Sequence, residues 1–270
     1  MVNFANWREV PKTQPPAAWI GGKRQLAARL CSMIEQVPHH MYAEPFVGMG
    51  GVFFRRERIP PAEVINDRSG DVVNLFRILQ RHYPQFMDTL KFQVTSRREF
   101  ERLKACDPST LTDLERAARF IYLQKLAFGG KVSGQNFGVE RKGGARFNLT
   151  RLAPLLEDVH ERLAGVSIEN LDWLEFIDRY DRPGVLFYLD PPYWGNEDDY
   201  GKELFSRDTF ALMAERLGRL QGRFILSLNA VQGVFDTFSK FDFEEVDCTY
   251  TLAANGDKAV REVIISGGAT

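Results

Sequence analysis

Val185-Leu186-Phe187-Tyr188-Leu189-Asp190-Pro191-Pro192-Tyr193 is a run of five apolar residues that breaks into an acid, two prolines and an aromatic ring. The run does not alternate between apolar and polar positions. It therefore reads as a strand covered on both faces, the situation of strands in parallel sheets. A parallel sheet needs helical crossovers and takes its ligands at the carboxyl ends of its strands. The tetrapeptide Asp190-Pro191-Pro192-Tyr193 stands at such an end. Two prolines stiffen the turn and delete two N–H donors. What remains facing outward accepts hydrogen bonds only: the Asp190 carboxylate and the Pro191 carbonyl. Tyr193 adds a flat face, so the set suits a planar substrate that carries an amino group.

The pattern on either side agrees with this reading. Upstream, Pro11 to Pro16 is an extended lead-in. Lys23 to Val37 has helical spacing, with Leu26, Leu30 and Ile34 on one face. Met41 to Phe46 reads as a strand, Val52 to Arg58 as a helix, Glu63 to Asn66 as a strand and Asp71 to Gln80 as a helix. Pro84 to Phe128 holds only helices, with starts at Ser96 and Thr112. The stretch from Phe128 to Asn148 contains six glycines and reads as a hairpin or loop. Downstream, helices at Leu152–Leu163, Trp173–Arg179 and Ser206–Leu220 alternate with strands at Val166–Glu169, Val185–Leu189 and Phe224–Leu228. Glu244–Leu252 and Ala259–Ser266 flank Asn255-Gly256-Asp257 as an antiparallel hairpin. The expected fold is α/β: a doubly wound, mostly parallel sheet with a terminal antiparallel hairpin and an inserted helical lobe. Residues 1–76 and 150–270 form the body, and 77–149 form the lobe with its hairpin loop at 128–148.

Four further motifs lie where such a sheet presents its ligand. Glu44-Pro45-Phe46-Val47-Gly48-Met49-Gly50-Gly51 follows a strand, and its glycines allow close backbone approach. A dinucleotide loop would need a third glycine where Phe53 stands, so a nucleoside without that pyrophosphate fits better. Asp67 ends the next strand, where an acid can accept from both ribose hydroxyls; its structural alternative is a helix cap. Trp19-Ile20-Gly21-Gly22-Lys23 opens a helix and offers N–H groups and a cation to a carboxylate. Asp172-Trp173 could hold an adenine by its amino edge and ring face, or be a cap and a core tryptophan.

Taken together in order, these motifs resemble the Dam-type DNA adenine-N6 methyltransferases over nearly the whole chain. Trp19 to Lys23, with Gly22, is similar to the family's Gly-Gly-Lys motif. Glu44, Pro45, Phe46, Gly48 and Gly50 match its cofactor loop, and Asp67 its ribose-binding acid. Phe147-Asn148 resembles the end of its recognition hairpin. Asp190, Pro191, Pro192 and Tyr193 match its catalytic tetrapeptide. Ala254-Asn255-Gly256 with Arg261-Glu262-Val263 resembles its C-terminal motif. The resemblance implies a class I fold, S-adenosylmethionine as methyl donor with S-adenosylhomocysteine as product, and adenine N6 in double-stranded DNA as acceptor, flipped out of the duplex to react. Cofactor contacts would fall to Trp19, Gly22, Lys23, Glu44, Pro45, Phe46, Gly48, Gly50, Asp67, Asp172, Trp173 and Asp190. The loop Phe128 to Gly134 departs from the family's Asn-Gly-rich hairpin, so GATC is not implied as the recognition site. Whether a restriction partner accompanies the enzyme, and whether its source is a bacterium or a phage, stays open at this point. A second reading is a methyltransferase acting on ribosomal RNA or on a protein amide, and a third a catalytically idle DNA-binding module.

Composition bounds the rest. The 270 residues carry 35 Lys+Arg and 36 Asp+Glu, a formal net charge of −1 that argues at first sight against a DNA partner. The charge is segregated. Residues 77–148 hold 14 basic and 7 acidic side chains, while the remainder holds 21 and 29. Lys131, Arg141, Lys142 and Arg146 lie in the glycine-rich loop and are the candidate phosphate contacts. Cys31, Cys106 and Cys248 are scattered, which suits a reducing cytoplasmic compartment. No apolar run is long enough to span a membrane. His39-His40 has no ligand-spaced partner and reads as a solvated turn, and nothing points to a bound metal. The chain is expected to be a monomer in solution, with pairing on DNA left open.

Overall fold

The computed structural model describes residues 6–132, 134–138, 145–195, 205–252 and 256–269. The strands are β1 (Arg8–Glu9), β2 (Met41–Glu44), β3 (Arg58–Ile59), β4 (Ala62–Asn66), β5 (Ser167–Glu169), β6 (Val185–Leu189), β7 (Arg223–Asn229), β8 (Asp242–Leu252) and β9 (Gly256–Gly268). The helices are α1 (Ala27–Gln36), α2 (Gly70–Arg81), α3 (Tyr83–Leu90), α4 (Arg97–Ala105), α5 (Asp113–Leu126), α6 (Leu149–Leu163), α7 (Trp173–Tyr180), α8 (Arg207–Leu217) and α9 (Gln232–Thr237).

Seven strands form one sheet in the order β5-β4-β2-β6-β7-β9-β8. The first five are mutually parallel, and β9 runs antiparallel to both β7 and β8. This is the doubly wound, mostly parallel sheet with a terminal hairpin that the sequence pattern implies. From β2 the chain steps outward through β4 to β5, and from β6 it steps the other way through β7. The reversal lies between β2 and β6, which pair directly through Met41 with Val185 and Ala43 with Phe187. A crevice opens at the carboxyl ends of two strands that part in this way.

Alternate residues of each central strand enter different cores. Tyr42, Ile65, Leu186, Tyr188 and Ile225 face one side and pack with Leu30, Leu75, Ile121 and Leu156. Ala43, Val64, Phe187, Leu189 and Leu226 face the other and pack with Phe176, Phe210 and Val234. Both faces are dry, which is why the runs read as continuously apolar. The helices between 77 and 149 join the first of these cores: Phe86, Phe100 and Phe120 are buried in the same cluster as the sheet side chains. Ser96 caps α4 by accepting from the Glu99 amide, and Thr112 and Glu115 form a reciprocal capping box on α5.

Two expectations need correction, and one element escaped the sequence pattern. Val52 to Arg58 is not a helix. It is a 3₁₀ turn at Phe53–Arg55 followed by β3, which pairs with β1. Phe53 and Phe54 are both buried, and Ile59 precedes Pro60-Pro61, which forces extended backbone. His39 is not in a solvated turn: it is fully buried, its Nδ1 lies 2.7 Å from the Val37 carbonyl, and its ring meets Trp7 edge-on. Burial holds its pKa down at about 4, so it stays neutral at ordinary pH. The short helix α9 was not visible in the periodicity.

A buried ion cluster ties the turn after β2, the strand β4 and the helix α6 together. Glu63 accepts from Arg56 at 2.7 Å and from both terminal nitrogens of Arg162 at 2.7 and 2.8 Å. All three residues are nearly inaccessible to water. The two guanidinium groups also lie over the rings of Tyr42 and Phe53. Glu63→Ala leaves two buried cations without their carboxylate. It should cost about 3–5 kcal/mol, the usual penalty for breaking a buried pair. Urea denaturation monitored by circular dichroism reads the loss directly.

Candidate active site

A cavity of about 640 Å³ opens at the strand reversal, within the size range of cofactor sites. Its wall includes Trp19, Gly22, Lys23, Glu44, Pro45, Phe46, Gly48, Asp67, Asp172, Trp173, Asp190 and Pro192. Segments far apart in sequence therefore meet in one place. Gly50, Pro191 and Tyr193 do not line it. Gly50 has positive φ and lies under the Phe54 ring, where a Cβ would collide. Gly48 also has positive φ, and the Trp19 indole occupies the space a Cβ would need.

Asp67 is half-buried at the carboxyl end of β4. Its oxygens accept from the Gly48 and Ser69 amides, both at 2.8 Å. Burial nevertheless raises its carboxyl pKa to about 6, with the two amides resisting the shift. The helix cap belongs to Ser69, not Asp67. Glu44 is buried and accepts from the Tyr42 hydroxyl at 2.7 Å. Loss of water pushes its pKa up to about 8, against the opposing effects of that hydroxyl and Arg56. Asp172 does cap α7, accepting from the Leu174 amide at 2.9 Å, while Trp173 is buried in the second core. Both still border the cavity.

The tetrapeptide turn is held from two sides, by Lys23 and by β7. Lys23, 2% exposed, places its ammonium 2.5 Å from the Asp190 carboxylate, 2.8 Å from the Tyr193 hydroxyl and 3.2 Å from the Gly21 carbonyl. It also lies 4.5 Å from the centre of the Tyr193 ring. The cation offered by the Gly-Gly-Lys segment thus meets a carboxylate of the chain itself. From β7, Ser227 donates to Asp190 at 3.2 Å and pairs with the Tyr188 hydroxyl at 3.0 Å. Two residues along the same face, Asn229 accepts from the Trp194 amide at 3.0 Å and donates to the Trp194 carbonyl at 2.9 Å. Sequence reasoning missed Tyr188, Ser227 and Asn229. The available signal was two polar residues, two apart, at the end of an apolar strand beside β6.

Of the four cations in the glycine-rich loop, Arg141 and Lys142 lie outside the described residues. Lys131 is exposed, and Arg146 packs against Gly138. The loop starts as an antiparallel reversal, with Phe128 donating to the Asn136 carbonyl and Gly138 to that of Leu126. Val132 and Lys125 reach the cavity wall. Phe147 is buried against Tyr122. Part of the C-terminal motif, Ala254-Asn255, also lies outside the described residues, whereas Glu262 is buried on β9 opposite Asn229.

Residues 19–252 match the family model of the D12 class N6 adenine-specific DNA methyltransferases. The chain belongs to that family. It is 26% identical over 275 residues to the type II methyltransferase M1.LlaDCHI of Lactococcus lactis subsp. cremoris, covering 94% of this chain and 95% of that one. Solved structures with a similar outline include a precorrin 8W decarboxylase from Methanobacterium thermoautotrophicum and precorrin-6y C5,15-methyltransferase from Geobacter metallireducens. Their identities are 10% and 9%, they cover 91% of this chain and 90% and 88% of their own, and both TM-scores are 0.37. They are too distant to bear on the site. The enzyme is a DNA methyltransferase of the adenine-specific class, with DNA as substrate and a methyl donor required. Among the described residues, no helix is long and apolar enough to cross a membrane, and no cluster of His, Cys, Asp and Glu could hold a metal ion.

Asp190 is pushed toward the protonated form by burial, and Lys23 is the main force acting the other way; Glu262 adds to the burial effect and the Ser227 hydroxyl opposes it. Lys23→Met removes the counter-charge, so Asp190 stays protonated to higher pH. Where catalysis needs the carboxylate, the acid limb of the methylation rate against pH should move upward, measured by methyl incorporation between about pH 5 and 9.

Proposed function

We propose that the enzyme transfers a methyl group from S-adenosylmethionine to N6 of an adenine extruded from duplex DNA. The observation that carries this reading is the meeting of the Glu44–Gly48 segment, Asp67, Asp190 and Pro192 around one cavity. The residues present fit the donor. Asp67 uses one amide on each oxygen and keeps lone pairs for a ribose diol. Gly48 brings backbone to the cavity where any side chain would clash. Phe46, Trp19 and Trp173 supply apolar walls for a purine. When bound, S-adenosylmethionine supplies a methyl group on a positively charged sulfur.

The protein's part is to hold and polarise the acceptor. The N6 lone pair of adenine is delocalised into the ring. Hydrogen bonds from N6–H to the Asp190 carboxylate and the Pro191 carbonyl favour a pyramidal nitrogen with that pair localised. Lys23 favours the Asp190 carboxylate against the effect of burial, and Ser227 and Asn229 fix the turn, so little reorganisation is left for the transition state. Tyr193 gives the extruded base a face to stack on.

In this reading residues 1–76 and 150–270 carry donor binding and chemistry, and 77–149 carry recognition of the duplex. The basic surplus of 77–148 supports that division. The type II name of the relative supports modification of a short duplex site, as in restriction–modification pairs.

Single-molecule sequencing of unmethylated duplex DNA treated with the wild type should report N6-methyladenine at one short site. Asp190→Ala should reduce methyl incorporation to background with an unchanged circular dichroism spectrum. Turnover near wild type would sink the acceptor role. Replacing Lys131 and Arg146 together by Ala should flatten the plot of log DNA affinity against log salt by about 0.9 per lost phosphate contact, or about 1.8 for both. An unchanged slope would remove these side chains from the DNA contact.

A further inference from the structure

Lys23 lies in the turn that precedes α1. The turn that carries it is fastened to the glycine-rich loop through one buried amide on α5. Gln124 is 1% exposed. Its Nε2 donates to the Ala18 carbonyl at 2.8 Å and to the Gly130 carbonyl at 2.7 Å. Its Oε1 accepts from Gln135 at 3.2 Å, and Gln135 also donates to the Lys131 carbonyl at 3.0 Å. The Gly130 carbonyl takes a second bond from the Ile20 amide at 3.1 Å.

The fit is tight. Gly130 has positive φ, and a Cβ there would come within 3.0 Å of the backbone of Ala18 and Trp19. From Ala18 to Lys23 the chain is a compact turn, closed by Gly22 donating to the Trp19 carbonyl at 3.0 Å. The Lys23 ammonium folds back onto the Gly21 carbonyl of that same turn. A displacement at Ala18 therefore moves the ammonium on Asp190. Both hydrogens and the oxygen of the Gln124 amide are used, so no rotation of the group preserves the set. A buried polar network of this kind specifies one arrangement while it is fully satisfied.

We propose that Gln124 is a positioning residue of the methyl-transfer reaction: it fastens the Ala18–Lys23 turn, and with it the ammonium on Asp190 and Tyr193, to the loop that meets DNA. The proposal rests on the function given above, in which Asp190 must be a carboxylate and the loop contacts the duplex. Other charged and titratable groups that face Asp190 stay where they are when this tether is cut. They are Tyr188 and Tyr193 near it in the chain, Glu44 on β2 and Glu262 on β9, with the Ser227 hydroxyl on β7. Only the contribution of Lys23 changes.

The test compares Gln124→Met, which keeps length and loses all three hydrogen bonds, with Lys23→Met and with the double variant, in the full-length enzyme. The acid limb of single-turnover methylation at saturating duplex should rise in Gln124→Met by about one pH unit, the size of effect a nearby counter-charge has on a carboxylate. The double variant should show no greater shift than Lys23→Met, because both changes remove one interaction. Gln124→Asn, which keeps a neutral amide on a side chain one methylene shorter, should shift the limb in the same direction by no more than Gln124→Met, and serves if the Met variant does not fold. A slower Gln124→Met with the wild-type limb, or a double variant whose shifts add, overturns the proposal. Absence of adenine methylation by the wild type overturns the underlying function instead.

Discussion

The parallel pairing of β2 with β6 is the constraint on which the rest of the molecule depends. Met41, Tyr42 and Ala43 stand in register with Val185, Leu186 and Phe187. The chain leaves these two strands in opposite directions across the sheet, so the loop after Glu44 and the turn after Leu189 open side by side. Neither loop is built for its neighbour. Each is aimed by a strand that is dry on both faces, and a slip of one residue would exchange the two cores. Fully burying a Leu or Phe side chain is worth about 1.5–3 kcal/mol, so a slipped register would forfeit many such terms at once.

Onto that frame the protein adds polar clamps of two kinds. The Glu63 cluster is saturated by two guanidinium groups and lies away from the cavity, where it locks a turn, a strand and a helix together. Asp190 has one ammonium and one hydroxyl, at the cavity wall. The first arrangement leaves the carboxylate nothing further to do. The second sets an ammonium against the effect of burial while leaving the carboxyl group able to take another donor. The difference between scaffold and site lies in how much hydrogen-bonding capacity remains, not in burial as such.

Much of this was legible in the sequence, and the limits have physical causes. The strand Val185–Leu189 and the turn after it were readable because double-sided burial leaves an unbroken apolar run. The starts of α4 and α5 were readable because Ser96 and Thr112 are chemical caps. The helix proposed at Val52–Arg58 failed because seven residues with two buried phenylalanines do not separate one turn of 3₁₀ helix from two of α-helix. His39 looked polar by type, but Trp7 and the Val37 carbonyl make its site dry, and neither contact has a sequence signature. Lys23 was read as a cation for a ligand, and its partner within the chain, Asp190, had no sequence signal. The 166 residues between Lys23 and Asp190 are bridged by folding alone. Gln124 gave no signal, since a glutamine on a helix is ordinarily a solvated one.

The long hairpin at the end of the chain has a consequence for the company this protein keeps. β8 forms one outer edge of the sheet, and an open edge offers backbone groups to any passing strand. Between Asp242 and Asp247 that edge carries four acids in six residues, Asp242, Glu244, Glu245 and Asp247. Arg29 and Arg261 engage Glu244 and Glu245 from within the chain. A second copy adding itself here would stack acid on acid. The same few side chains thus guard this edge against strand-on-strand growth.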